Sequence, residues 1–211
     1  TLKHLSIGDE LRTLLKSNQL PEAVLQDVHQ GRMVPDETIH DVLLQCMQRA
    51  HADGYQMVLL DGFPRSASQA EYLTAVADIR LFVEINLPDQ HILAKLRGRR
   101  VCGTCGRGFN LEDVHDDVNK VYMPPIMPRG GITPGDPNPR CVDGGELLPR
   151  PDDEVEKAIR RLEEYHKSRP EIARTFEKLG VHMVHNVCRG VEDMPQMIAN
   201  IEARLGKDLS A

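Results

Sequence analysis

Apolar residues recur along this chain in two alternating rhythms. Short continuous runs stand at Leu2–Leu5, Gln56–Leu60, Arg80–Leu87 and Val181–Val187, each the size of a strand. Between them the spacing is helical: Gly8–Ser17 (Leu11, Leu14, Leu15), Pro21–Val28, Glu37–Ala50, Ser66–Ala77, Asp89–Arg100 and Val191–Leu205. A longer helix is predicted from Asp152-Asp153 to about Lys178, its acidic start favoured by the helix dipole. Pro35-Asp36 supplies a breaker and an N-cap before Glu37. Strands that are apolar throughout and alternate with helices predict an α/β fold with a parallel sheet covered on both faces. Between Val101 and Leu148 the texture changes to glycines, prolines and three of the five cysteines, with little periodicity. That stretch is expected to be a small inserted module held by something other than a core. No internal repeat or low-complexity segment interrupts the pattern.

Composition narrows the function classes. The formal charge of -6 and the lack of interleaved aromatic and basic residues argue against nucleic acid as a partner. No apolar run approaches the ~20 residues of a membrane helix. An odd number of cysteines in a chain of 211 residues is a poor disulfide framework, so a reducing intracellular compartment, cytoplasm or mitochondrion, is expected. Cys46 and Cys188 lie in apolar-patterned segments and read as core residues. The nine histidines show no catalytic pairing and are expected mostly at the surface.

Candidate chemistry begins at Asp61-Gly62-Phe63-Pro64-Arg65, an acid at a strand's carboxyl end, a tight turn and an arginine. Open α/β sheets place ligands there. The aspartate can order the water shell of Mg²⁺, and the arginine can grip a phosphate in bidentate fashion. A strand-end turn with a surface arginine is the plain alternative. Around it stand Ser6-Ile7-Gly8-Asp9-Glu10-Leu11-Arg12, Gly31-Arg32-Met33-Val34-Pro35-Asp36, Gln69, Gly98-Arg99-Arg100, Arg150-Pro151-Asp152-Asp153, Arg161-Leu162 and Tyr165.

In this order and at roughly these spacings the set resembles the adenylate kinase family, of the long-lid nucleoside-monophosphate kinase type, over the whole chain. The resemblance implies a three-layer, P-loop-kinase-like parallel sheet with helices on both faces. Residues 1–100 and 149–211 would form the core, with an AMP-binding helical insert at about 6–35 and a lid at 101–148. It implies ATP and AMP as partners, with Mg²⁺ carried by ATP. Arg12, Arg65 and Gln69, with the backbone near Met33, Val34 and Gly62, would hold AMP, Gln69 reading the adenine edge. Arg99, Gly108, Phe109 and Arg189 would lie along ATP. Arg99, Arg150 and Arg161 would converge on the transferred phosphate, with Asp61 on the Mg²⁺ side. Phosphoryl transfer relies on positioning and charge neutralisation, which explains the arginines; an AMP phosphate is already ionised and needs no general base.

In long-lid relatives the lid carries zinc on Cys-x-x-Cys pairs. Here Cys102, Cys105, Cys141 and Asp143 offer the donors, and one tetrahedral ion can order a module too small to own a core. The second half, Cys141-Val142-Asp143, is one residue short of the usual spacing, the Glu112–Tyr122 run lengthens the loop, and His115 is a substitute ligand. A lid held by hydrogen bonds with three spare thiols is the alternative.

Three features depart from the family pattern. Ile7 takes the place of a threonine, and Lys95 that of an arginine that stacks on the ATP adenine, keeping charge but losing a planar face. No Gly-x-x-x-x-Gly-Lys-Ser/Thr occurs. The phosphate loop, with the strand before it and the helix after it, would occupy about two dozen residues before Thr1. The first, central strand is therefore expected to be absent from this chain. A preceding segment of the natural polypeptide, or a partner chain in a non-catalytic assembly, would complete the sheet, because buried unpaired strand edges are costly.

Overall fold

The computed structural model describes residues 2–29, 34–128, 139–149 and 153–206. It forms two compact units, Thr1–Ile79 with Ser168–Lys178, and Arg80–Lys167 with Leu179–Ala211.

In the first unit, β1 (Leu2–Ser6) runs parallel to β2 (Met57–Asp61), in register from Leu2 opposite Met57 to Ser6 opposite Asp61. Parallel neighbours need a long crossover, here α1 (Ile7–Lys16), α2 (Glu22–His29) and α3 (Asp36–Ala52); α4 (Ala67–Val76) follows β2. Ser6 ends β1 and caps α1 at once, its Oγ accepting from the Asp9 N–H at 3.4 Å. The helical spacing of Leu11, Leu14 and Leu15 is spent against Leu5, Leu20, Val24, Val42 and Cys46. Leu43, Ala70 and Phe176 are fully enclosed; a leucine or phenylalanine so placed contributes about 1.5–3 kcal/mol of transfer free energy. Asp36, expected to cap α3, does not. Pro35 holds the cap position without a side-chain bond, and the Asp36 carboxylate turns instead to α4.

The second unit contains β3 (Phe82–Asn86), α5 (Asp89–Gly98), β4 (Arg99–Cys102), β5 (Gly108–Asn110), β6 (Val114–Asp116), β7 (Val121–Met123) and β8 (Leu147–Leu148). The start of α6 (Val155–Lys178), β9 (His182–Asn186) and α7 (Met194–Leu205) complete it. β3 pairs with β9 in parallel. α5 stops two residues short of the predicted Arg100. The Gly98 carbonyl accepts from the Leu111 N–H at 2.8 Å, and a Cβ at Gly98 would stand 2.5 Å from the Glu112 Cβ, so the chain crosses itself there and leaves as β4.

The 101–148 stretch carries two small cores. β5, β4 and β8 form an antiparallel ribbon around Cys102, Phe109, Cys141 and Leu147. The β6–β7 hairpin packs Val114, Val121 and Met123 against Leu87, Ala94 and Val187, so its core belongs to α5 and to the ends of β3 and β9. The strands are two to four residues long, which hid both cores from periodicity.

Parallel strands are normally covered on both faces. Among the described residues the parallel pairs are β1–β2 and β3–β9, and apolar side chains on them stand open: Leu59 is 52% exposed, Ile85 59% and Val184 44%. α7 buries no residue, and Val191, Met194 and Ile198 are exposed at helical spacing along its approach and first turns. One expectation fails. Cys188 is exposed, not core, because it lies past the end of β9 in a turn. His91 and His185 are buried, and His182 is nearly so; His91 and His182 meet Asp116 and Glu84, carboxylates the linear pattern could not pair. Among the described residues no helix is long and apolar enough to cross a membrane.

Candidate functional site

Parallel register brings two loops together at one end of the first unit. Because Ser6 sits opposite Asp61, the start of α1 and the Asp61–Ser66 turn share the carboxyl edge of β1 and β2. Asp61 is exposed there, 3.6 Å from the His4 Nε2. Arg12, one turn into α1, is exposed and pairs with Asp9. Arg65 folds its Nε back onto the Gly62 carbonyl at 2.7 Å.

Gln69 holds this turn from beneath. It is 5% exposed, and both ends of its amide are engaged: Oε1 accepts from the Arg65 N–H at 2.8 Å, and Nε2 donates to Asp36 at 2.7 Å. Ser66 caps α4 through the Gln69 N–H and donates its hydroxyl to Asp36 at 3.0 Å. Asp36 thus anchors the arginine-bearing turn to α3, a link of 30 residues that no local pattern announces. Val34 packs half-buried against the core of the unit. Met33 lies outside the described residues, as does Arg150.

In the second unit, Arg99 opens β4 and reaches Asp153 at 3.3 Å. Asp153 is itself buried, and its second oxygen has no hydrogen-bond partner among the described residues. Arg161 is exposed on α6. Arg189 is exposed beyond β9; its backbone N–H donates to Asp193 at 2.7 Å and its Nε lies 3.8 Å from Glu192. Gly108 pairs with Val101, while Phe109 turns its ring into the ribbon core and leaves only backbone to the outside.

Lys95 is engaged differently from what its place in the sequence suggested. Its Nζ donates to the carbonyls of Glu112, Met123 and Pro124 at 2.7, 2.9 and 3.0 Å. Burial pulls its pKa below the ordinary lysine value, partly opposed by Asp113 and Glu112. The acceptors are backbone groups from distant segments, so nothing in the residue string marks them.

The cysteine cluster is compact. One donor atom from each of Cys102, Cys105, Cys141 and Asp143 lies within 4.8 Å of all the others. The Cys105 and Cys141 sulfurs are 3.7 Å apart, and Cys102 Sγ is 3.4 Å from Asp143 Oδ1. Tetrahedral zinc with thiolate ligands at ~2.3 Å sets neighbouring sulfurs about 3.8 Å apart, so the cage fits. The knuckle aims the Thr104 and Cys105 N–H groups at Cys102 Sγ, and these bonds pull that thiol below its usual pKa. Asp143 pushes the Cys105 thiol up to about 12, while its own carboxyl is held at about 2, chiefly by that thiol and by the Gly145 N–H. As thiols these groups hydrogen-bond to Asp143 and to one another; as thiolates, so close together, they would need a cation. At Gly145 a Cβ would meet Cys102 Sγ at 2.5 Å, so a glycine closes the short Cys-x-Asp turn. His115 is exposed, pairing with Asp117 and Tyr122 outside the cage.

A family model described as Adenylate kinase matches residues 1–181. Probable adenylate kinase 6, chloroplastic, of Arabidopsis thaliana is 34% identical over 84% of this chain and 58% of its own length. The protein of the same name from Oryza sativa subsp. japonica is 31% identical over 99% and 71%. GTP:AMP phosphotransferase of Plasmodium falciparum is 30% identical over 91% and 81%. The chain therefore spans 58% of the Arabidopsis relative and more of the other two.

Proposed function

The chain belongs to the adenylate kinase family, and on that premise we propose that the full-length protein reversibly transfers the γ-phosphoryl group of Mg·ATP to AMP, giving two ADP. The observation that carries this reading is the shared carboxyl edge of β1 and β2, where Arg12 and the Asp61–Arg65 turn meet at the end of an open parallel pair. AMP binds there. Arg12 and Arg65 leave Asp9 and the Gly62 carbonyl for its phosphate, while Gln69, with Asp36 behind it, fixes the turn; to read the adenine edge its amide would have to leave Arg65 and Asp36. Val34 and Met33 supply backbone contacts. On the donor side Arg99 and Arg189 hold the ATP phosphates, with Gly108 and the Phe109 backbone alongside. Arg99, Arg150 and Arg161 neutralise the phosphoryl group in flight, and Asp61 orders the water shell of the ion that ATP brings. Closure of the 101–148 module over the core excludes water, so that hydrolysis does not compete. Cys102, Cys105, Cys141 and Asp143 would hold a structural zinc that orders the ribbon.

The phosphate cradle is not among these residues. The open apolar faces of Leu59, Ile85, Val184 and α7 favour a second reading, a non-catalytic subunit whose partner chain supplies a strand. A bisubstrate analogue joining two adenosines separates the two. At 100 times its Kd it stabilises an active enzyme by ~2.7 kcal/mol, about 5–10 °C in Tm at 2–4 °C per kcal/mol. A full-length protein unmoved by millimolar analogue is not an active kinase.

A further inference from the structure

An ammonium group has three hydrogens to donate, and those of Lys95 are all accounted for. The Glu112 carbonyl lies just before β6, and the Met123 and Pro124 carbonyls lie at and just after the end of β7, so one side chain on α5 ties both feet of the hairpin. The seam continues toward β4. The Asn110 Nδ2 donates to the Lys95 carbonyl at 2.8 Å, and its Oδ1 accepts from the Glu112 N–H at 3.1 Å. The Asn110 and Ile126 backbones bond to each other in both directions, at 3.0 and 2.7 Å. Asn110 is also the residue paired with Arg99 in the ribbon. From Lys95 to Asn110 there is thus a run of short, mostly half-buried bonds, and Asn110 is the register partner of Arg99, with Gly98 crossing beneath.

We propose that Lys95 is a positioning residue for Arg99. It touches no nucleotide, but clamps the hairpin feet on α5 and so fixes the corner from which Arg99 addresses the triphosphate. The proposal rests on the reading of Arg99 as a phosphate-binding residue. A guanidinium is planar and longer than an ammonium, and cannot converge on three carbonyls clustered around one point. Keeping the charge is therefore not enough to keep the clamp.

The test compares K95M and K95R with wild type in the full-length protein, by hydrogen exchange and by steady-state kinetics. In both variants the hydrogen-bonded Leu111 and Ile126 amides are expected to exchange at least tenfold faster, with the Phe82 amide at the start of the β3–β9 pair unchanged. Both should raise the KM for ATP about tenfold and leave that for AMP within twofold. K95R retaining wild-type exchange and ATP KM overturns the proposal in favour of a simple charge effect. Equal losses for ATP and AMP, with Phe82 also exchanging faster, overturn it in favour of general destabilisation. If K95M fails to fold, K95Q replaces it with the same expectations. If wild type neither binds ATP nor makes ADP, the kinase reading fails by itself, and Leu111 and Ile126 exchange unchanged in K95M would independently overturn the clamp.

Discussion

Replacing Gln69 by leucine tests whether the arginine-bearing turn is built as described. Leucine fills nearly the same volume in a site that is 5% exposed, so the perturbation is mainly polar. It removes the bonds of 2.8 Å from the Arg65 N–H and 2.7 Å to Asp36. Each group deprived of a buried partner costs about 1–3 kcal/mol. Arg65 lies at the surface, where its N–H regains water, and Asp36 keeps the Ser66 hydroxyl. The low part of the range applies, about 2–4 kcal/mol in total. Urea unfolding followed by circular dichroism should show a lower midpoint with unchanged slope. The KM for AMP should rise at least tenfold while that for ATP stays constant. A stability within ~0.5 kcal/mol of wild type, the usual scatter of inert surface changes, refutes the network. Lost stability with an unaltered AMP constant refutes the placement of the AMP site.

Two further outcomes follow from the second unit. Elemental analysis of protein purified without chelator should give one zinc per chain, lost in C105S or C141S and accompanied by faster proteolysis within 101–148. Asp116 is held at about 2 by the Asn119 side chain and backbone, the Val118 N–H and His91. Because its folded pKa lies below the unfolded ~3.9, its stabilisation is complete above about pH 4 and drains away as pH falls toward 2. Asp116→Asn should lower Tm at pH 7 and flatten that acid limb.

The alternating layers were legible because strand and helix periods differ, and all four short apolar runs became the parallel strands. What periodicity could not show were bonds between distant residues. Asp36 looked like a cap for α3 yet serves α4, because Ser66 and Gln69 offered it better donors than its own helix start. Lys95 read as a substituted base-stacking residue, and its actual partners are carbonyls, which every residue carries. The sequence named Cys102, Cys105, Cys141 and Asp143 and the structure clusters them, but the tight Cys-x-Asp turn became intelligible only with Gly145 packed against Cys102. The hairpin core went unread because its strands are three residues long and half of its packing comes from Leu87, Ala94 and Val187.

The central claim is phosphoryl transfer between two adenine nucleotides on this arginine-bearing scaffold. Phosphorus NMR of the full-length protein with Mg·ATP and AMP tests it directly. The account predicts two ADP for each ATP consumed, dependence on AMP, and no orthophosphate. Absence of ADP, or orthophosphate released from ATP without AMP, would contradict it.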